Sequence, residues 1–328
     1  MSRKLPNAFL GFASLAIAAS VGVAAQKPAT PKAAQVHIDR ALALAGKSYM
    51  RTTASLQCGL SGPAMANFQN TVVPEPRKLF DNFYYVGIKS VGAYALATKD
   101  GIVLIDALDN SDEAQNVIER DLRSFGLDPA QIKYVIVTHG HGDHYGGARY
   151  FAEKYGAHVM LSQADWDMVS RPPMRPAGAP SRPFAPPPQK DLIATDGMVL
   201  DIGGQQIRIV LTPGHTPGTI SLILPVTDRG QRHVLAMWGG TGVPRDAAAR
   251  AQYIASAAKF DTASKAAGAD IELSNHPFVD DSLARMDAFH AAPKGPNPFV
   301  IGRAAYARYS AIIAECAKAV AAGGPSAS

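Results

Sequence analysis

The sequence contains few cysteines, no run of basic residues and no short internal repeat. Its two cysteines, Cys58 and Cys316, lack the sequence context of a cysteine nucleophile. An oxidising compartment would permit them to pair, and the sequence leaves both a disulfide and two buried thiols open. The formal net charge of +5 is spread along the chain without aromatic residues interleaved among basic ones, so neither nucleic acid nor a membrane surface is indicated as a partner. The absence of a repeat argues against a solenoid or a propeller.

A long hydrophobic span is also missing from the N-terminus. Residues 1–25 place Arg3 and Lys4 before an apolar stretch rich in alanine and glycine, which is shorter than the ~20 residues of a membrane-spanning helix. Val23 and Ala25 occupy the small-residue positions of a cleavage site. We therefore expect a signal peptide cleaved near Ala25, in preference to an anchor helix. The mature protein would then be periplasmic or secreted, with no stable membrane anchor.

The rest of the chain is patterned like one large α+β domain. Hydrophobic residues make up 47% of the sequence, enough for a sizeable core. We divide the chain into a signal peptide (1–25), an N-terminal arm (26–76) and a catalytic domain (77–328). The arm is predicted to contain a helix over 37–45 that leads into a loop.

Two β-rich halves, each followed by helices, predict a sandwich. The first half contains the runs NFYYVGI, GAYALAT and GIVLIDAL, an amphipathic helix over 112–125, a strand over 132–138, a helix near 146–155 and the strand AHVMLS. The second half contains MVLDIGG, QQIRIVLTPG, TISLILPV and HVLAMWGG, followed by helices near 247–267 and 304–321. Between the halves, the proline-rich segment 171–191 is predicted to be a long surface loop, because proline forbids regular pairing.

Four potential metal ligands follow the strand 132–138 within six residues. They are His139, His141, Asp143 and His144, in the run HGHGDH. An extended turn directs the first two side chains at one point, and the intervening glycines allow the backbone to bring the other two to an adjacent point. Imidazole and carboxylate are ligand types that zinc accepts, and packing alone does not explain such a density of them.

Two further histidines in turn-like settings would complete two half-sites. His215 lies in TPGHTPG and His276 in LSNHP. Three protein ligands for each of two ions would leave a coordination position open for water, as a catalytic zinc site requires. Manganese and iron remain alternatives, because geometry rather than affinity selects the metal. Isolated histidines such as His37 and His158 are interpreted as ordinary core or surface groups.

HGHGDH after a β-strand, GHTPG some seventy residues later and a final NHP together resemble the metallo-β-lactamase superfamily, over about residues 78–328. The chain also has a final histidine in place of a bridging aspartate, and in this feature it resembles the third subclass of class B β-lactamases. The resemblance implies a four-layer αββα sandwich with two Zn²⁺ per chain. It assigns His139, His141 and His215 to one zinc, and Asp143, His144 and His276 to the other.

The same resemblance implies a mechanism and a small-molecule substrate. A metal-bound hydroxide would attack the β-lactam amide, with Asp143 orienting it as well as binding metal. Asp106, at the end of GIVLIDAL, is open to two interpretations: an acceptor for a ligand histidine, or a turn-capping aspartate.

The substrate contacts depart from the subclass pattern. Its members carry an Asp-Ser pair where this chain reads MWGGTGVP, so only Thr241 could supply the serine hydroxyl that helps hold the substrate carboxylate. Thr219 and Ser221 are the remaining polar candidates after His215. Two other groups could approach the pocket. The first group is the loop arginines Arg171, Arg175 and Arg182, which could instead be ordinary solvated side chains. The second is one of the tyrosines Tyr84 and Tyr85, with the other packed in the core.

These observations lead to three alternative hypotheses about function. A β-lactam hydrolase is the leading prediction, since export and the final histidine favour it. A lactone or thioester hydrolase is the alternative, but such relatives generally carry a bridging aspartate that MWGGTGVP lacks. A zinc-binding protein without turnover is the third, and the intact set of six ligands argues against it. The oligomeric state is not predicted.

Overall fold

The structure is a computed structural model that describes residues 29–61, 64–171 and 185–326. The predicted signal peptide and most of the proline-rich loop, including Arg175 and Arg182, lie outside these ranges. Within them, no helix combines the length and the apolar character needed to cross a bilayer.

Seven strands form the first sheet, in the order of the chain. They are β1 (Arg77–Phe80), β2 (Phe83–Tyr85), β3 (Tyr94–Thr98), β4 (Gly101–Ile105), β5 (Ile132–Ile136), β6 (His158–Ser162) and β7 (Leu192–Ala194). Neighbours from β1 to β4 pair antiparallel, and those from β4 to β7 pair parallel. The carboxyl ends of β4, β5 and β6 therefore meet at one edge of the sheet.

Five strands form the second sheet. They are β8 (Val199–Ile202), β9 (Gln205–Leu211), β10 (Ile220–Asp228), β11 (Gln231–Trp238) and β12 (Ile271–Ser274), in the order β12-β11-β10-β9-β8. Only β11 and β12 pair parallel. Strand β12, four residues that include the charged residue Glu272, was not predicted from the sequence.

Eleven helices occur within the described residues. They are α1 (Lys32–Ala45), α2 (Met50–Gln57), α3 (Ala64–Phe68), α4 (Ser111–Glu113), α5 (Arg120–Ser124), α6 (Gly142–Tyr145), α7 (Ala148–Tyr155), α8 (Gln163–Val169), α9 (Ala247–Ala267), α10 (Ser282–Ala291) and α11 (Arg303–Ala321). A π-helical stretch, Ala114–Glu119, joins α4 to α5. Helix α9 has the predicted bounds because the Asp246 side chain caps its first turn and Gly268, at φ 77°, ends it.

The predicted four-layer αββα sandwich is confirmed, since the two sheets face each other and helices cover both outer faces. Strand β4 illustrates the arrangement: Val103 and Ile105 join the core between the sheets, while Ile102 and Leu104 join the core under the helices that follow it. A strand buried on both faces reads as a continuous apolar run, as GIVLI does.

The N-terminal arm is more helical than predicted. Helix α1 begins five residues before the expected start, and α2 and α3 occupy segments that the sequence analysis interpreted as loop. Ile38 and Met50 join the core between the second sheet and its covering helices. A disulfide joins Cys58, just after α2, to Cys316 in α11, which decides the question that the sequence left open.

Candidate metal centre

Six side chains converge where strands of both sheets end. The HGHGDH segment follows β5, His215 lies between β9 and β10, and His276 follows β12. Their donor atoms form two groups, each with all atoms within 4.8 Å of one another: His139, His141 and His215 in the first, and Asp143, His144 and His276 in the second. These are the two groups that the resemblance implied. We call them the three-histidine group and the aspartate group.

The spacing of the donor atoms fits tetrahedral zinc. Zinc–nitrogen bonds of roughly 2.0–2.1 Å place two ligand atoms of a tetrahedron about 3.4 Å apart. His139 Nε2 lies 3.1 Å from His141 Nδ1 in the first group. In the second, His144 Nε2 lies 3.3 Å from His276 Nε2 and 3.5 Å from Asp143 Oδ2. Donor chemistry and spacing therefore suit a divalent metal at each group.

Backbone carbonyls orient two of the histidines. His276 Nδ1 donates to Ser90 O at 2.7 Å, and His215 Nδ1 donates to Gly242 O at 3.0 Å. A ring that donates from Nδ1 keeps the lone pair of Nε2 available for metal. Ser90 lies 186 residues from His276, so sequence patterns could not have identified it.

Asp106 has the first of the two roles that the sequence left open, as an acceptor for a ligand histidine, because the hydrogen bonds of its carboxylate within the described residues are to His144 and Thr138 and not to its own turn. Its Oδ2 accepts from His144 Nδ1 at 2.8 Å, while Oδ1 and Oδ2 accept from Thr138 N and Thr138 Oγ1 at 2.7 and 2.9 Å. The residue has a φ of 58° and no exposed surface. One carboxylate thus fixes the His144 ring and anchors the backbone immediately before HGHGDH.

The centre is buried on one side and open on the other. His139, His144 and His276 are buried, whereas His141 is exposed and Asp143 and His215 are partly exposed. Burial and the nearby His144 lower the pKa of His276 to about 4, which favours the neutral, ligand-competent ring. Burial also lowers the pKa of His144, but Asp143 and Asp106 outweigh it and raise this pKa to about 9. Burial raises the pKa of Asp143, yet the neighbouring histidines bring it to about 2.

The predicted substrate contacts lie mostly inside the protein. Ser221 and Thr219 are fully buried. Ser221 Oγ accepts from Gly239 N at 3.0 Å, and Thr219 Oγ1 accepts from Thr216 N at 3.0 Å. This geometry argues against either hydroxyl reaching a substrate. Thr241 is 6% exposed and donates to Asn275 Oδ1 at 3.0 Å, so its substrate contact stays a prediction.

The two tyrosines lie in the packed cores. Tyr85 is fully buried between the sheets and donates to Ile88 O at 2.6 Å. Tyr84 packs on the outer face of the first sheet, with its ring 4.8 Å from that of Phe125. The expectation that one of them lines the pocket is therefore wrong, because consecutive residues of β2 point into opposite cores.

Two aromatic side chains that were not predicted from the sequence flank the aspartate group. The ring of Phe68, at the end of α3, lies 4.9 Å from that of His276, and Phe278 lies 5.5 Å from the same ring. The N-terminal arm therefore contacts a candidate ligand.

Comparisons with known proteins agree with this geometry. Residues 87–228 match the family model described as the metallo-β-lactamase superfamily. The solved structure of a subclass B3 metallo-β-lactamase of Bradyrhizobium japonicum is 27% identical, with a TM-score of 0.61 over 75% of this chain and 92% of that one. Residues 87–228 therefore resemble a metallo-β-lactamase domain, and the chain resembles the subclass B3 enzymes in structure.

Curated relatives match over shorter lengths. An uncharacterised protein of Mycobacterium bovis is 30% identical over 41% of this chain, and the chain spans 60% of its length. A hydroxyacylglutathione hydrolase of Acidiphilium cryptum is 29% identical over 28% of this chain and 31% of its own. These relatives do not specify a substrate for this chain.

Proposed function

We propose that this protein is an exported, zinc-dependent hydrolase that opens the amide bond of β-lactams. The observation that carries the proposal is the pair of adjacent donor groups, each with three protein donors. A structural zinc site is closed by four protein ligands, whereas three leave a position for water or substrate. The exposed side of the centre, at His141 and Asp143, gives a substrate access to that position.

The chain's own residues would hold the reaction geometry. Two bound zinc ions would supply Lewis acidity, which lowers the pKa of water towards about 7 and polarises a carbonyl oxygen. Asp143 is 18% exposed, and its carboxylate can accept a hydrogen bond from the attacking water and orient it. The carbonyls of Ser90 and Gly242 and the carboxylate of Asp106 hold three imidazole rings in the tautomer that a metal requires.

The backbone at Gly239 and Gly240 has no room for an aspartate, whether the bridging aspartate of lactone and thioester hydrolases or the aspartate of the Asp-Ser pair expected for the β-lactamase subclass. Relatives that hydrolyse lactones or thioesters generally carry a bridging aspartate in this segment. A Cβ at Gly239 would lie 1.8 Å from Ile220 O, and one at Gly240 would lie 2.8 Å from the Cβ of His215. A carboxylate therefore cannot replace either glycine without moving β10 or the His215 loop.

A thioester hydrolase is the second candidate, because a curated relative is named hydroxyacylglutathione hydrolase. That match covers 28% of this chain, whereas the subclass B3 structure corresponds to 75% of it. We therefore rank β-lactams first.

The proposal also includes export of the protein from the cytoplasm. The basic and apolar residues 1–25 have the pattern of a signal peptide with cleavage near Ala25. The disulfide between Cys58 and Cys316 is a type of bond that persists in oxidising compartments such as the periplasm. β-Lactams act in that compartment.

The experiment is a substrate panel on protein that begins at Gln26, with added zinc and with a chelator. The panel contains a chromogenic cephalosporin, a carbapenem, an acyl-homoserine lactone and a glutathione thioester. A His139→Ala variant controls for contaminating hydrolases. We expect turnover of the first two compounds, lost on chelation and in the variant.

Other outcomes separate the candidates. Turnover of the thioester or the lactone alone would replace β-lactams as the substrate class. A protein that binds two zinc ions and hydrolyses none of the four would overturn the proposed function and leave the metal centre standing.

A further inference from the structure

A second buried carboxylate lies beside the three-histidine group. Asp165, in the first turn of α8, has 1% of its surface exposed and belongs to neither donor group. Its Oδ2 accepts from Gly140 N at 2.8 Å and from Thr216 Oγ1 at 2.7 Å, and its Oδ1 accepts from Gly218 N at 2.8 Å. No cation forms an ion pair with it among the contacts of the described residues.

These three donors come from the two loops that carry the three-histidine group. Gly140 lies between His139 and His141, and Thr216 is the residue after His215. The loops are about seventy residues apart in sequence. Asp165 therefore links them with hydrogen bonds at a fixed separation.

Close packing leaves little freedom at this junction. A Cβ on Gly140 would lie 2.6 Å from the Met168 side chain, and one on Gly218 would lie 1.9 Å from Ser162 Oγ. Both loops thus rest directly on α8 or on its N-terminal cap. A shift of Asp165 would be passed to both loops.

We propose that Asp165 is a positioning residue for the three-histidine group, which holds the loop of His139 and His141 against the loop of His215 so that the three donor nitrogens converge. The inference rests on the proposed metal centre and extends it. Asp106 has the corresponding role for the aspartate group, through His144. Each half of the centre then has its own buried carboxylate.

The chemistry of the junction requires a carboxylate. All three partners donate, and an ionised carboxylate accepts at both oxygens. An asparagine has one accepting oxygen, so either orientation of its amide turns an NH₂ group towards a backbone N–H of Gly140 or Gly218. One loop would lose its anchor while the side-chain volume stays almost unchanged.

The test measures metal binding at each group separately. Purified protein labelled with ¹⁵N-histidine is titrated with zinc in a chelator buffer, and the ring nitrogens that shift report which group has filled. Single His→Gln variants assign the signals. Asp165→Asn is compared with wild type and with Asp167→Asn, which removes the same charge from an exposed position on the same helix.

In Asp165→Asn, we expect a rise of about 10-fold or more in the zinc concentration needed to shift the ring-nitrogen signals of His139, His141 and His215. A change of this size is typical for residues that orient metal ligands. The signals of His144 and His276 should change less than about 3-fold, and Asp167→Asn should match wild type. Thr216→Val, which removes one hydroxyl and keeps the shape, should give a smaller change in the same direction. This variant keeps the test valid if Asp165→Asn does not fold.

Each result has one meaning. Unchanged zinc affinity at the three-histidine group in both Asp165→Asn and Thr216→Val would overturn the inference. An equal loss of zinc affinity at both groups would also overturn it, because that result indicates a general structural role. A wild-type protein that binds no zinc at either group would instead overturn the proposed metal centre.

Discussion

Replacement of Asp106 by asparagine should weaken zinc binding at the aspartate group. The carboxylate accepts three hydrogen bonds, two from Thr138 and one from His144 Nδ1. Asparagine tolerates the left-handed backbone of this position, at φ 58°, so the substitution tests the carboxylate and not the turn.

The magnitude follows from the hydrogen bonds. With its amide oxygen on Thr138 N, the asparagine turns its NH₂ group towards His144 Nδ1. The ring must then lose its partner or move its proton to Nε2, the nitrogen that faces His276 and the metal position. Loss of such an orienting partner typically costs about 10–100-fold in metal affinity. This corresponds to about 1.4–2.7 kcal/mol at 25 °C.

The assay is zinc competition against a fluorescent chelator, combined with thermal melting in the absence of metal. Asp100→Asn is the matched control, because it removes a carboxylate from an exposed turn, and the ion pair of that carboxylate within the described residues is with the neighbouring Lys99. We expect weaker binding of one zinc equivalent in Asp106→Asn and unchanged binding in the control. Two equivalents bound with wild-type affinity by Asp106→Asn would refute the role assigned to Asp106.

Three further perturbations test the fold around the centre. Replacing Cys58 and Cys316 together by serine removes a cross-link between residues with a sequence separation of 258. The loss of stability from the greater entropy of the unfolded chain has an upper value on the order of 5 kcal/mol. A denaturant midpoint unchanged from wild type would contradict this. Burial and Glu272 raise the pKa of Asp280 to about 7, so the folded state holds a proton that the unfolded state releases near pH 4. The stability that the protonated Asp280 contributes is complete below about pH 4 and is lost as the pH rises to 7. In urea titrations, the free energy of unfolding of wild type relative to Asp280→Asn should therefore fall across this range. A constant difference would refute the raised pKa of Asp280. Gly218→Ala forces a Cβ to 1.9 Å from Ser162 Oγ and should cost about 1–3 kcal/mol by overpacking, whereas a melting temperature equal to that of wild type would show that the loop yields freely.

Much of the fold was predictable because its signals are local. Strand β4 is an apolar run bounded by turn residues, and α9 has a capping aspartate before it and a glycine after it. Strand β12 was missed because Glu272 interrupts its apolar pattern. The structure explains this charge: Arg285, from α10, pairs with it at 2.5 Å in the core, and Tyr49 donates to the same oxygen at 2.6 Å. A buried charge with partners from distant segments cannot be recognised from neighbours in sequence.

The candidate ligands were predictable for a related reason. HGHGDH concentrates four donors in six residues, and a loop that short must bring them together wherever it lies. The predicted substrate contacts had no such constraint. Ser221 was chosen for its hydroxyl, but in β10 that hydroxyl points to Thr212 Oγ1 at 2.8 Å and to the backbone of Gly239.

The sequence by itself determined the chemistry of the centre: which imidazoles and carboxylate are available, and the order in which strands deliver them. The tertiary structure alone decided how those groups are held. Ser90 orients His276 across 186 residues, Asp106 orients His144 across 38, and Asp165 joins two ligand loops. Local sequence encodes which side chains a turn presents, since that depends on a few neighbouring residues. The partner that fixes a ring nitrogen depends on how separate strands and helices pack, and no short pattern contains that information.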